Sequence, residues 1–261
     1  MNSGELFQSG RLGEAIATAI QEVKDQPGDM GRRTLLFSLL CFDGDLERAR
    51  KQLDVVGNQA ALSEAPAYSN LIDAELTRRK VLTEGLRPKF FEDVPARLEK
   101  HRQAINLLQA RKFDEAAALL EAAEEERPET AGTLNGTAFD DFADANDVTR
   151  SVLEFQQGRE YYWVPFEQLA HMQVILPDPV RPRDLYWAPC QLIFKGGQTQ
   201  RGFTPVLYAT SYQAPDTSLK LGNGTHFVNV GGGVYGGMGR KQFVAGEQDP
   251  TPLDLQDLTF N

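Results

Sequence analysis

The sequence predicts an α+β multidomain protein. An N-terminal tetratricopeptide-like helical repeat array spans residues 1–130, and a small, mostly-β, partly open barrel-like domain spans 148–261, with a boundary loop at 131–147 between them. Three observations carry this prediction. Apolar residues recur at helical spacing through the first half, and the pattern repeats. After Glu129 the composition turns to Gly, Thr, Asn and Asp. Beyond Val148 the periodicity shifts toward two, in short runs punctuated by Gly and Pro.

The helical half is organised around residues 34–56, TLLFSLLCFDGDLERARKQLDVV. Positions 34–42 are apolar almost all round, as in a helix buried between neighbours. Phe42-Asp43-Gly44-Asp45 supplies turn formers. Leu46, Ala49, Leu53 and Val56 then recur at helical spacing with charged residues between them. One helical hairpin cannot bury its apolar faces alone, so copies are expected on either side. Gly10-Arg11-Leu12-Gly13-Glu14-Ala15 matches Gly44-Asp45-Leu46-Glu47-Arg48-Ala49 at an offset of 34, the tetratricopeptide period. That stripe continues through Ile16, Ala19, Ile20 and Val23 and stops at Pro27 and Gly28. A third copy places Leu98, Ile105 and Leu108 on its first helix. Its second helix carries Phe113, Ala116, Leu120 and Ala123, 67 positions after Leu46, Ala49, Leu53 and Val56. An extra amphipathic helix is predicted over 67–82, with Tyr68, Leu71, Ile72 and Leu76 on one side, followed by a loop over 84–95. Leu36, Leu39 and Leu40 are predicted core.

In the second half, residues 152–155 and 161–164 flank Gln156-Gln157-Gly158-Arg159 as a hairpin. Residues 166–170 read as one helical turn, and 172–176 as a strand ended by Pro177-Asp178-Pro179. A second hairpin joins 185–195 to 201–208 around Gly196-Gly197, and 227–230 and 242–245 read as shorter strands. Many short strands with Gly and Pro turns favour a compact β domain. The acidic stretch from Asp140-Asp141 to Asp147 reads as a solvated loop, because its spacing is not that of a calcium loop.

The formal net charge of -10 argues against nucleic acid as the main partner, since phosphate binding needs a basic face. Cys41 and Cys190 lie far apart in apolar runs and read as small core residues rather than a disulfide. His101, His171 and His226 are scattered, so neither a metal nor another cofactor is expected. The N-terminus has no basic segment followed by an apolar one, and no apolar run approaches the roughly 20 residues that span a bilayer. A cytoplasmic protein without membrane insertion is expected.

Gly231-Gly232-Gly233-Val234-Tyr235-Gly236 satisfies G-x-G-x-x-G as a string, but dinucleotide binding also needs a helix opening at the glycines. Gly237-Met238-Gly239-Arg240 is a poor helix start, so the stretch reads as a glycine-rich turn in a β domain. No G-x-S-x-G, H-E-x-x-H or S-x-x-K string occurs, so no catalytic residue is assigned and an enzyme is not expected. Tyr161, Tyr162, Trp163, Tyr186 and Trp187 have two readings. They are core aromatics, which is the commoner fate of such side chains, or they join Arg181 and Arg183 as partner-binding anchors.

Five stretches, LLFSLLCFDGDLERARKQLDVV, RPKFFEDVP, YYWVPFEQL, RPRDLYW and GGGVYGGMGRKQFVAGE, occur here in an order that resembles the ImpE/TagJ (SciE-type) family, accessory proteins of bacterial type VI secretion systems. The resemblance spans nearly the whole chain, and YYWVPFEQL and RPRDLYW are its more specific pieces. It implies a helical-repeat domain joined to a small β domain, in the cytoplasm near the contractile sheath. It further implies an adaptor that binds a helix of the small sheath subunit TssB/VipA and is thereby linked to ClpV, the AAA+ ATPase that dismantles contracted sheaths. It implies no catalytic residue. The alternatives are a generic tetratricopeptide-like co-chaperone or scaffold unrelated to secretion, and an enzyme with a site in the β domain.

Overall fold

The computed structural model describes residues 1–59, 64–177 and 180–261. Among these, helices come first: α1 (Ser3–Gln8), α2 (Leu12–Asp25), α3 (Met30–Asp43), α4 (Leu46–Gln59), α5 (Ala65–Glu84), α6 (Arg97–Gln109) and α7 (Phe113–Glu125). Local chemistry sets several of their ends. The Asn2 side chain accepts from Glu5 N (2.9 Å) to cap α1, and Asp29 accepts from Arg32 N (3.1 Å) to cap α3. Gly44 ends α3 in the left-handed conformation (φ 87°), and the Tyr212 ring occupies the space a side chain would need. Ala15, Ala49 and Ala116, the matching positions of the three predicted copies, are each 0% exposed. No helix among the described residues is long and apolar enough to cross a membrane.

The strands follow: β1 (Gly132–Leu134), β2 (Thr137–Phe139), β3 (Phe142–Asp144), β4 (Val152–Gln157), β5 (Glu160–Pro165), β6 (Leu169–Val174), β7 (Trp187–Phe194) and β8 (Thr199–Pro205). A short helix, α8 (Thr217–Lys220), precedes β9 (Thr225–Gly231), β10 (Val234–Gly239), β11 (Phe243–Ala245) and β12 (Leu258–Phe260). Eight strands form one antiparallel sheet in the order β2–β1–β12–β6–β7–β8–β4–β5. Two further pairs, β9 with β10 and β3 with β11, lie outside it.

The stretch 131–147, read as a loop, therefore holds three strands. Its turn chemistry explains this: Asn135 and Gly136 both have positive φ (50° and 85°), as a two-residue hairpin turn requires between β1 and β2. The predicted strand over 172–176 begins earlier, at Leu169, because the 3-10 turn Phe166–Gln168 is shorter than expected. Of its predicted stop, Asp178 and Pro179 lie outside the described residues. The glycine-rich string forms the β9–β10 turn and the start of β10, with no helix opening at it.

Helix and sheet share their cores. Leu36, Leu39 and Leu40 are buried as predicted, and α3 is apolar all round because it touches the β half as well as α2 and α4. Phe37 stacks on Trp187 (6.2 Å, 15°), and Phe42 meets Tyr186 edge-on (5.4 Å, 90°). A second shared cluster joins Val81, Leu98 and Ile105 to Val152, Tyr161 and Trp163. Shared cores predict one cooperative transition. Leu39→Ala should cost about 2–5 kcal/mol and lower the midpoint of the whole chain. Helical circular dichroism and the fluorescence of Trp163 and Trp187 should shift together in urea; two separated transitions would show halves that unfold independently.

Candidate functional site: a groove above a buried ion cluster

Helix α5 carries its apolar stripe past Leu71 and Ile72 into charge. Glu75 is 0% and Arg78 2% exposed, whereas Leu76, predicted on the buried side, is 41% exposed. The charges are inside because the β half supplies partners. Arg78 donates from Nε to Glu154 Oε1 (2.7 Å), from Nη2 to Glu154 Oε2 (3.1 Å) and to the Leu207 carbonyl (2.8 Å). Lys241 Nζ donates to Glu154 Oε2 (2.6 Å) and to Asp144 Oδ2. Tyr161 OH donates to Glu154 Oε1 (2.6 Å), and Trp163 Nε1 donates to Tyr161 OH (2.8 Å). Asp144 also accepts from Thr149 Oγ1 (2.8 Å) and Tyr208 OH (3.2 Å). Glu75 accepts from Arg78, Arg79 and Gln156. Three carboxylates thus face three cations, Arg78, Arg79 and Lys241, so the cluster is formally neutral.

Burial opposes the charged form of Glu154, yet Arg78 and Lys241 hold its carboxyl well below the usual range. Burial raises Asp144, and Glu154 adds to that, while Lys241 acts the other way. Burial also pushes the Tyr208 and Tyr161 hydroxyls up, so both remain protonated donors. The expectation that the acidic stretch is a solvated loop fails at Asp144, which is 0% exposed because Lys241, Thr149 and Tyr208 converge on it.

Above Glu154 and Tyr208 lies a cavity of about 280 Å³. Leu82, Ile105 and Leu108 wall one side from α5 and α6; Val230 and Gly237 wall the other from β9 and β10. Gly237 sits against the Tyr208 ring, where no side chain would fit. Helix α5 ends at Gly85 (φ 68°), where the Asn106 carboxamide fills the space of a side chain and fixes α5 against α6. The groove is apolar at its walls, and its charged floor is already satisfied.

The predicted anchors do not converge on this groove. Tyr161, Trp163, Tyr186 and Trp187 are buried, because they pack the shared cores and support the ion cluster. Tyr162 is half-buried and stacked on Phe91 (4.1 Å, 6°). Arg181 pairs with Asp184 (2.8 Å) and Glu64 (3.1 Å); Arg183 also pairs with Glu64 and lies over the Tyr68 ring (4.9 Å). Glu75, Arg78, Asp144, Glu154 and Lys241 were missed. The available signal was a charge inside an apolar run, as in Val152-Leu153-Glu154-Phe155.

The architecture is that of an α+β protein with helices first, an antiparallel sheet second and an ion cluster between them. A family model described as ImpE protein matches residues 136–259. The chain is 31% identical over 262 residues to the "Type VI secretion system accessory component TagJ" of Pseudomonas aeruginosa, covering 100% of this chain and 91% of that protein. The crystal structure of protein VPA1032 from Vibrio parahaemolyticus has the same fold, with a TM-score of 0.90 over 99% of this chain and 97% of that one at 24% identity. The chain belongs to the ImpE/TagJ family.

Two predictions follow from the buried groups. Arg78→Met should lower the unfolding free energy by about 3–5 kcal/mol, because it strands a buried carboxylate. Adding Glu154→Gln should recover part of that loss in urea titrations. His101 is buried against the Val148 carbonyl (3.0 Å) and Ser151 Oγ (3.1 Å), and burial lowers its pKa from 6.5 to about 4. The unfolded chain therefore binds a proton that the folded one refuses. Stability should be full above about pH 6.5 and fall by about 3 kcal/mol as pH drops toward 4. The His101 ring resonance should titrate near 4; a midpoint near 6.5 would show an open site.

Proposed function

We propose that the chain is an accessory component of a bacterial type VI secretion system. In this reading it is a non-enzymatic cytoplasmic adaptor that receives a helix of the small sheath subunit TssB/VipA and so links the sheath to its disassembly ATPase ClpV. The observation that carries the role is the likeness to TagJ over the full chain. The groove between α5–α6 and β9–β10 supplies a docking place, since Leu82, Leu108 and Val230 offer apolar walls to the i, i+3 and i+4 anchors of an amphipathic helix.

Support for an adaptor rather than an enzyme comes from the floor. Glu154 is the carboxylate nearest the cavity, and it is committed to Arg78, Lys241 and Tyr161. A group tied in this way positions the walls and is poorly placed to exchange protons with a substrate. The helix pairs are read as a short tetratricopeptide-like stack over 1–130, set against a partly open barrel-like β part over 148–261, with 131–147 as a boundary that contributes β1 and β2 to the same sheet. Of the predicted anchors, Tyr162, Arg181 and Arg183 keep accessible surface and are candidate contacts outside the groove; Tyr161, Trp163, Tyr186 and Trp187 would act by holding the joint rigid.

A pull-down with purified small sheath subunit tests the reading. Saturable binding is expected, with about a tenfold or greater loss on Val230→Asp at unchanged circular dichroism. Absence of saturable binding to that subunit would overturn it.

A further inference from the structure

We propose that a second pocket, at the N-terminal half of α6, docks an acidic segment of a partner protein through one protruding apolar side chain. This proposal does not rest on the sheath reading. The pocket has a volume of about 200 Å³ and is lined by Pro88, Phe90, Val94, Leu98 and Trp163. Sites for drug-sized molecules begin near ~300 Å³, so this one has room for a side chain rather than a metabolite. Trp163 gives its indole N–H to Tyr161 OH (2.8 Å), which leaves only its apolar surface to recognise a ligand. Val94 stands at the mouth and is 51% exposed.

The pocket is already built. The backbone of Lys89 exchanges two hydrogen bonds with β5, from Lys89 N to the Tyr161 carbonyl (3.0 Å) and from Trp163 N to the Lys89 carbonyl (3.0 Å). Gln168 Nε2 donates to the Asp93 carbonyl (2.8 Å), and Phe91 stacks on Tyr162. A wall held at both ends loses little entropy when a ligand arrives. These contacts give the RPKFFEDVP stretch a purpose that the groove above Glu154 does not.

Charge selects the occupant. The chain carries -10 overall, but the charged residues that line this pocket are two arginines and one glutamate. At the rim, Arg87 and Arg102 face one carboxylate, Glu99. Its hydrogen bonds from Arg102 hold Glu99 near a pKa of about 2, so it stays ionised and neutralises a single arginine. Arg87, whose side chain is 75% exposed, touches Glu99 only loosely (3.5 Å) and is free to take a carboxylate from the partner. A nucleic acid would meet the acidic remainder of the chain, whereas a short acidic segment meets only this patch.

The test is an NMR titration of the full chain with the acetylated, amidated peptide Glu-Phe-Glu-Glu, reading the indole N–H of Trp163 with that of Trp187 as internal reference. A saturable shift confined to Trp163 is expected. The peptide Lys-Phe-Lys-Lys should bind about tenfold more weakly, and Arg87→Glu and Val94→Asp should each weaken Glu-Phe-Glu-Glu by about tenfold. Both residues are exposed, so the fold is retained. Val230→Asp should leave this titration unchanged. No saturable shift of Trp163, equal binding of the lysine peptide, or loss only in Val230→Asp would overturn the proposal.

Discussion

Glu154 is the residue on which the rest depends. It sits on β4 at 1% exposure, with Arg78 of α5 on one side, Lys241 on the other and the Tyr161 hydroxyl completing its shell. A buried ion pair is weak evidence of net stability, because desolvation opposes the Coulombic gain. Its value here is geometric. An apolar helix can slide or rotate on a sheet at modest cost. A guanidinium that grips Glu154 through two nitrogens and the Leu207 carbonyl through one of them fixes the register of α5 on the sheet to one solution. Lys241 does the same for the C-terminal segment, through Glu154 and Asp144.

The periodicity of residues 1–130 exposed the helices in the sequence, because each has one apolar stripe and a clear break. The β4–β5 hairpin was legible for the same reason. β1, β2 and β3 were not, since three-residue strands are too short to show a period. Their one local cue is Asn135-Gly136, a turn sequence that does not by itself reveal the strands on either side. Burial of the ion cluster leaves one trace in the sequence, the charge inside Val152-Leu153-Glu154-Phe155, and none at its partners. A carboxylate at Asp144 looks solvated until a lysine 97 residues away folds onto it. The aromatic pairs were half legible: their bulk marked them as structural, but only the fold shows that Trp187 serves α3 while Trp163 serves α6.

This arrangement explains why grooves lie where they do. Residues 98, 102, 105 and 109 fall on one stripe of α6, and both pockets open along it. The middle of that stripe is plugged by Val152, Tyr161 and Trp163. At its ends, residues of the β9–β10 hairpin and of the 85–96 loop form the walls. Each end of the stripe is left as a concave site.

On the proposed reading, an adaptor would need surfaces that two partners can hold without competing. The two ends of α6 differ in the property that sorts partners. The C-terminal groove has apolar walls over a neutralised floor. The N-terminal pocket pairs an apolar well with a basic rim inside an otherwise acidic chain. Seven residues of helix, about 10 Å, separate Leu98 from Ile105, and both side chains belong to the cluster that includes Trp163. Rigid coupling over that distance transmits little motion, so two partners bound here would be linked by tethering to one body rather than by a conformational relay.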